Sequence, residues 1–286
     1  MIDCLFVSDL HGSRSRYLSL FKYIDEERPA AVFLGGDLFP GLEGQTGGNF
    51  LDDFLAPGMA GLKEKLGPAY PRVFLILGND DSKLHEARLL EWAGSQGLWE
   101  YIHNRAAAFE GFQIYGYNYV PPTPFLNKDW ERYDISRYVD PGCIRPEEGR
   151  HSTPEPLNRI EHATIKEDLA RLTGDEDLSR SLFLFHSPPY QTRLDRAALD
   201  GKTVDHAPLD VHVGSIAVKE FILEREPWLT LHGHVHESPR LTGFWKEKLG
   251  KTICVSAAHD GPELALIRFD LEDPGSAERE LITQEA

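Results

Sequence analysis

Three cysteines, Cys4, Cys143 and Cys254, are an odd number at wide spacing, which argues against both a disulfide framework and a thiolate metal cage. No apolar run approaches the roughly 20 residues that cross a bilayer. Basic residues are scarce: 30 Lys and Arg stand against 46 Asp and Glu, a formal net charge of −16. Such a balance disfavours phosphate backbones and anionic lipids, so neither long duplex nucleic acid nor a membrane surface is an expected partner. The opening Met1-Ile2-Asp3-Cys4-Leu5-Phe6-Val7 lacks a basic region and runs directly into a strand pattern. It predicts no signal peptide and a cytoplasmic location. Internal repeats are also missing. What remains, 286 residues of which 41% are hydrophobic and 27% charged, fits one large α/β domain over 1–286.

Five short apolar segments are each followed at once by polar residues. Leu5-Phe6-Val7 leads to Asp9-Leu10-His11, and Ala31-Val32-Phe33-Leu34 leads to Gly36-Asp37. Val73 to Leu77 leads to Gly78-Asn79-Asp80-Asp81, and Leu182-Phe183-Leu184-Phe185 leads to His186-Ser187-Pro188-Pro189. Trp228 to Leu231 leads to Gly233-His234-Val235-His236. Read as buried strands, these segments bring five polar groups to the carboxyl edge of a sheet, where open α/β folds bind ligands.

Carboxylate, imidazole and amide groups without cysteine suit a hard or borderline divalent cation. Asp9, His11, Asp37, Asn79, His186, His234 and His236 exceed the needs of one tetrahedral ion. Two ions sharing a carboxylate use them economically, and such a pair clamps the attacking and leaving oxygens of a phosphoryl transfer. Two divalent ions carry four positive charges, and Asp9, Asp37 and a bridging hydroxide remove three. The one left suits a phosphodiester monoanion.

In this order and strand context the five groups resemble the calcineurin-like metallophosphoesterase superfamily over residues 9 to 236. The resemblance implies an α/β (α+β) fold of four α-β-β-α layers, two mixed sheets flanked by helices; the residues alone support only α/β or α+β. It implies that Asp9, His11 and His236 hold one metal, that Asn79, His186 and His234 hold a second, and that Asp37 bridges them. The expected cofactors are two divalent ions (Mn, Fe, Zn or Ni, with Mn favoured), and the expected attack on phosphorus comes from a metal-bridging hydroxide. Where the family often carries histidine, in Gly-Asn-His-Asp, this chain has Asp80 followed by Asp81. A carboxylate can donate a proton there only if its pKa is raised. Relatives without that histidine lean towards diesters, so a phosphodiesterase acting on a small, possibly nucleotide-like phosphate ester is expected. A phosphomonoesterase or protein phosphatase is one alternative, and a non-catalytic metal-binding scaffold is another.

The stretch Asp210 to Ser215, with Gly233 to Ser238, resembles a prokaryotic, Icc-like branch of these phosphoesterases. His212 is a candidate for acid or phosphate contacts, although capping the next helix or pairing with Asp210 is the preferred reading. The glycine-rich residues 40–48 lack the Lys-Ser/Thr ending of a P-loop and read as a rim loop. His85 reads as a helical surface histidine, and His259-Asp260 as a loop pair. Helices are predicted near 14–27, 50–66, 83–95, 158–172 and 214–225, and strands near 252–257 and 263–271 that close a second sheet, before a polar tail that frays after Asp273. Between Tyr117 and Pro156 the pattern breaks down into prolines, aromatics and charges. Such a long excursion is either a lid or rim whose Tyr, Phe125 and Trp130 stack on substrate, or a surface insertion pinned by its own aromatics.

Overall fold

In a computed structural model, which describes residues 1–41 and 49–283, strands and helices alternate from the N-terminus. Strand β1 (Asp3–Val7), helix α1 (Arg14–Glu27), β2 (Ala31–Gly35), α2 (Ala56–Leu66), β3 (Arg72–Ile76), α3 (His85–Gln96) and β4 (Glu100–Tyr101) come first. Next are β5 (Arg105–Phe109), β6 (Phe112–Tyr117), α4 (Leu157–His162), α5 (Ile165–Thr173) and β7 (Ser181–Phe185). A small hairpin of β8 (Thr203–Val204) and β9 (Ala207–Pro208) precedes α6 (Ile216–Arg225), β10 (Leu229–His232), α7 (Ser238–Thr242), β11 (Lys246–Leu249) and β12 (Thr252–Ser256). The chain ends in β13 (Leu264–Asp270) and β14 (Asp273–Ile282).

These strands form two six-stranded mixed sheets, ordered β14-β13-β1-β2-β3-β4 and β11-β12-β10-β7-β6-β5. In the first, β1 to β4 run parallel; in the second, β6, β7, β10 and β12 do. Alternation along each strand assigns its two apolar faces. Cys4, Phe6, Phe33, Phe74, Ile114, Leu182, Leu184, Leu229 and Leu231 make one buried cluster between the sheets. Leu5, Val7, Val32, Leu34, Val73, Leu75, Phe183 and Phe185 belong to another, shared with helix residues such as Tyr17, Leu20, Met59, Leu89, Leu169 and Ile222. The result is the four-layer α-β-β-α sandwich. Strands covered on both faces are apolar throughout, which is why they read as continuous hydrophobic runs. Among the described residues, no helix is long and apolar enough to cross a membrane.

Several boundaries differ from the sequence expectation. The helix predicted near 158–172 is two helices, because Ala163 and Thr164 are extended; Thr164 caps α5 by accepting from Glu167 N at 3.2 Å, and Ile165 N donates to Tyr133 O. The segment near 50–66 begins as a π-helical turn, Leu51–Leu55, before α2. Residues 263–271 join the first sheet beside β1 instead of closing the second. The tail after Asp273 does not fray: β14 pairs with β13 from Asp273 to Ile282. Its polar composition suits an edge strand, and only Pro274 and Ala277 are buried. Residues 42–48, most of the glycine-rich stretch, lie outside the described residues.

The excursion from Tyr117 to Pro156 has a buried base and an exposed tip. Tyr117, Tyr119, Trp130 and Tyr133 are core residues, so they have no face free to stack on a ligand. Lys128 and Glu131 form a fully buried ion pair, and Arg132 pairs with Asp168 of α5. Phe125, Leu126, Ile135 and Tyr138 are the large aromatic and aliphatic side chains left exposed on the tip. His85 is also not a surface histidine: its ring lies 4.3 Å from that of Phe39, and burial lowers its pKa.

Candidate metal centre

All five polar groups follow the carboxyl ends of parallel strands: Asp9 after β1, Asp37 after β2, Asn79 after β3, His186 after β7, and His234 and His236 after β10. The loops are laced together by their backbones. Asp9 N donates to Gly36 O at 3.0 Å, His11 N to Asp37 O at 2.8 Å, and Gly233 N to His186 O at 3.0 Å. Asp80 N donates to Asp37 Oδ1 at 2.8 Å, and His234 N to Asp9 Oδ1 at 2.9 Å. This lacing holds Asp9, His11, Asp37 and His234 at positive φ, between 46° and 73°. Such backbone costs about 1–3 kcal/mol per residue and persists where the surroundings over-determine it, commonly at functional sites.

The side chains converge as two groups joined at Asp37. Ligand-type atoms of Asp9, His11, Asp37 and His236 lie within 4.8 Å of one another, as do those of Asp37, His186 and His234. Asn79 Oδ1 is 3.2 Å from His186 Nε2, which adds an amide oxygen to the second group. His186 Nε2 is 3.2 Å from Asp37 Oδ2, and His236 Nε2 is 3.4 Å from Asp9 Oδ1. All seven residues expected from sequence are therefore brought together. Glycine is required at two points of this packing. A Cβ on Gly78 would sit 2.3 Å from Asp37 Oδ1, and one on Gly233 would sit 2.7 Å from Asp9 Oδ2.

A divalent pair fits these residues. Asp9 Oδ2 is buried with no hydrogen-bond partner among the described residues, an arrangement that is costly unless a cation or water completes it. His186 Nδ1 donates to Gly35 O, 2.8 Å away, which fixes its ring and leaves Nε2 facing Asp37 and Asn79. Electrostatically the cluster is strained without cations. Burial alone would raise Asp9, but His236 and His186 carry it down to about 2; Asp37 is held well below the usual carboxylate range in the same way, chiefly by His186. Against burial, Asp37 and Asp9 raise His186 to about 10, while Asp9 raises His236 to about 9. Burial and the neighbouring His186 push His234 down to about 3. Crowded opposite charges of this kind mark a place where cations replace protons.

Asp80 and Asp81 divide their duties. Asp80 lies beside the ligands, with Oδ2 3.5 Å from His11 Nδ1, and burial followed by Asp37 raises its pKa. Asp81 is fully buried and accepts from Leu38 N, Phe39 N and Gly78 N at 2.8–3.1 Å, tying the Asp37 loop to the Asn79 loop. Burial and Asp37 push Asp81 up to about 7 against those amides. His232, adjacent to the Gly233 loop, is a bystander, buried between Ser187 O and Thr230 Oγ1 and lowered to about 4 by burial.

His212 neither caps α6 nor pairs its ring with Asp210. Ser215 caps α6, and the His212 ring meets Asp195 through Nδ1 at 2.8 Å. Asp195 is fully buried and also accepts from Gln191 N, Thr192 N and Gly214 N. No spacing or motif marks Asp195, because its partner is 17 residues further along a different loop. His212 lines a cavity of about 880 Å³ that also contains Asp37, Asn79, Asp80, His234 and His236 in its wall. His259 pairs with Glu263 at 2.9 Å and stands apart from both groups.

A family model for calcineurin-like phosphoesterases matches residues 3–238. One solved structure is similar over 99% of this chain and 99% of its own, with 16% identity and a TM-score of 0.62. TT1561 of Thermus thermophilus is 18% identical over 98% of this chain and 99% of its own, with a TM-score of 0.56. A dimetal phosphatase from Danio rerio is 13% identical over 93% and 92%, with a TM-score of 0.50. No curated protein matches. At these identities the solved structures speak to the fold, whereas the family model takes in every loop that carries a candidate ligand. From the strand before Asp9 to the loop of His234 and His236, the chain belongs to the calcineurin-like phosphoesterase family.

Proposed function

We propose that the chain is a dinuclear-metal-dependent phosphodiesterase. The observation that carries this reading is the sharing of Asp37 by two ligand groups, one with Asp9, His11 and His236 and one with His186 and His234. Asn79 completes the second group. The description of a structural neighbour as a dimetal phosphatase supports a pair of ions of this kind. When bound, two such ions supply Lewis acidity at the phosphoryl oxygens and a water that ionises near neutral pH.

The chain's own residues do the rest. Asp80 N–H and the laced loops fix the orientation of Asp37, so little reorganisation is needed during reaction. The new bond forms between water oxygen and phosphorus, the ester P–O bond breaks, the proton shed by the water passes to solvent, and no covalent phospho-enzyme is required. Acting as an imidazolium, His212 gives the departing alkoxide the proton on Nε2 and regains one from solvent, because its Nδ1–H is engaged by Asp195 and Nε2 is the nitrogen left for substrate. Asp80 is the weaker candidate for this role. Cations beside Asp37 would favour its charged form, and a carboxylate there reduces the attraction for a dianionic monoester.

The test is elemental analysis of protein purified without added metal, followed by paired rates on bis(4-nitrophenyl) phosphate and 4-nitrophenyl phosphate after loading with Mn, Fe, Zn or Ni. Diester kcat/KM should exceed that for the monoester by about tenfold or more. A monoester preference would overturn the diester assignment. Metal retention with no turnover of either would favour the scaffold reading.

A further inference from the structure

The cavity that meets the metal ligands has a one-sided chemistry. Its wall includes the carboxylates of Asp80, Asp134, Asp140, Asp210 and Glu237, yet among the described residues no Lys or Arg lines it. Residues 42–48 and 284–286 contain no Lys or Arg either. Arg196, next to the lining residue Ala197 but not itself in the lining, is engaged by Asp200 and Ala197 O, each at 2.5 Å. Of the carboxylates, Asp134 is occupied in holding the start of α6, where it accepts from Ser215 Oγ, Ile216 N and Ala217 N. Asp140 has no such partner set, and burial followed by the nearby Asp210 raises its pKa.

The rest of the wall mixes polar groups, such as Asn79, Ser136, Tyr190 and His212, with a larger apolar share. The tip of the excursion supplies Phe125, Ile135 and Tyr138, which are exposed to solvent, and the β8–β9 hairpin supplies Val204. The two segments meet where a Cβ on Gly142 would lie 3.0 Å from Val204 Cγ2. A volume of about 880 Å³ far exceeds what a phosphoryl group alone needs and lies within the range of sites for sizeable organic ligands.

We propose that this cavity receives the organic group of the phosphoester and selects apolar groups that carry no second negative charge. This rests on the phosphoesterase reading. A nucleoside polyphosphate, or any ester with a further phosphate or carboxylate, would bring an anion against Asp140 and Asp210 with no Lys or Arg among the described lining residues to meet it. A neutral or cationic apolar group meets hydrophobic surface and a favourable field.

The experiment uses 4-nitrophenyl alkyl phosphodiesters that share one leaving group and differ only at the far end of the alkyl chain: methyl, trimethylammonium or carboxylate. The carboxylate ester should show a KM about tenfold or more above the methyl ester, the trimethylammonium ester no increase, and kcat should change little. Asp140→Lys should narrow the gap between carboxylate and methyl esters. A second arm needs no turnover: the metal-free chain is titrated calorimetrically with an alkyl trimethylammonium salt and with the matched alkyl carboxylate. Binding of the ammonium salt and not of the carboxylate supports the proposal, and equal or reversed binding overturns it. If no ester turns over while the titrations keep this order, the phosphoesterase reading fails and the charge selection stands. If the esters turn over with the carboxylate preferred, the selection fails alone.

Discussion

Nε2 of His11 and Nε2 of His236 stand 3.1 Å apart, although 225 residues separate them in the chain. Two imidazole nitrogens at that distance share either a proton or a cation, since facing lone pairs repel. With Asp9 and Asp37 beside them, the metal-free cluster satisfies itself with protons and the loaded one with metal.

A pH dependence follows. In the metal-free protein His186 is raised to about 10 and His236 to about 9, so both carry protons at neutral pH. Metal binding needs neutral imidazoles and must expel those protons, so affinity falls as pH falls and rises towards those pKa values. Adding Mn to chelator-treated protein in weak buffer should release protons, and Kd should weaken about tenfold per pH unit for each proton displaced, about a hundredfold for each ion between about pH 8 and pH 6. A Kd that stays flat over that interval would contradict the assignment of these two residues as ligands.

Asp37→Asn should reduce the occupancy of both groups together, because one carboxylate serves both. His186→Ala should empty mainly the group it shares with Asn79 and His234. Elemental analysis of each variant separates the cases: loss confined to one ion in Asp37→Asn would show that Asp37 does not bridge.

Asp81→Ala removes the acceptor shared by three buried amides, so unfolding stability should drop by about 2–5 kcal/mol. Asp81→Asn places an amide N–H against those donors and should cost less stability yet still loosen Asp37 and Asn79. Chemical denaturation and metal content, measured on the same samples, check both effects. Wild-type stability in Asp81→Ala would mean that water replaces the carboxylate.

Replacing all of 117–156 by a Gly/Ser linker should unfold the protein, since Trp130, Tyr133 and the Lys128–Glu131 pair are buried there. Replacing only 135–143 should keep the fold and the metals while raising KM, because exposed Ile135 and Tyr138 of the cavity wall are lost. Circular dichroism, metal analysis and kinetics on one diester distinguish these outcomes. Unchanged KM in the shorter replacement would make the tip a passive surface.

The candidate ligand set was legible because each of its residues follows an apolar run at a short distance, and strand ends must deliver such residues to one edge. The four layers were legible only through family resemblance, since alternation gives two apolar faces without saying which sheet lies opposite. Asp195 was invisible. Its role comes from backbone amides of its own loop and a histidine from the next, and neither leaves a periodic trace. Tyr119 and Trp130 misled for a related reason: in an irregular segment no period tells a buried ring from an exposed one. Polar β14 looked like a frayed tail because an edge strand needs few apolar residues once β13 supplies its hydrogen bonds.

The excursion's division into a pinned base and an open tip separates two demands on the same stretch of chain. Lys128 and Glu131 each need the other, because either charge left alone in the interior is strongly destabilising. Phe125, Ile135 and Tyr138 have no comparable tie to the interior. Sequence drift can therefore remodel the mouth of the cavity while the anchor holds it over the same candidate ligands, and a lineage of this fold can change its diet without relearning how to fold.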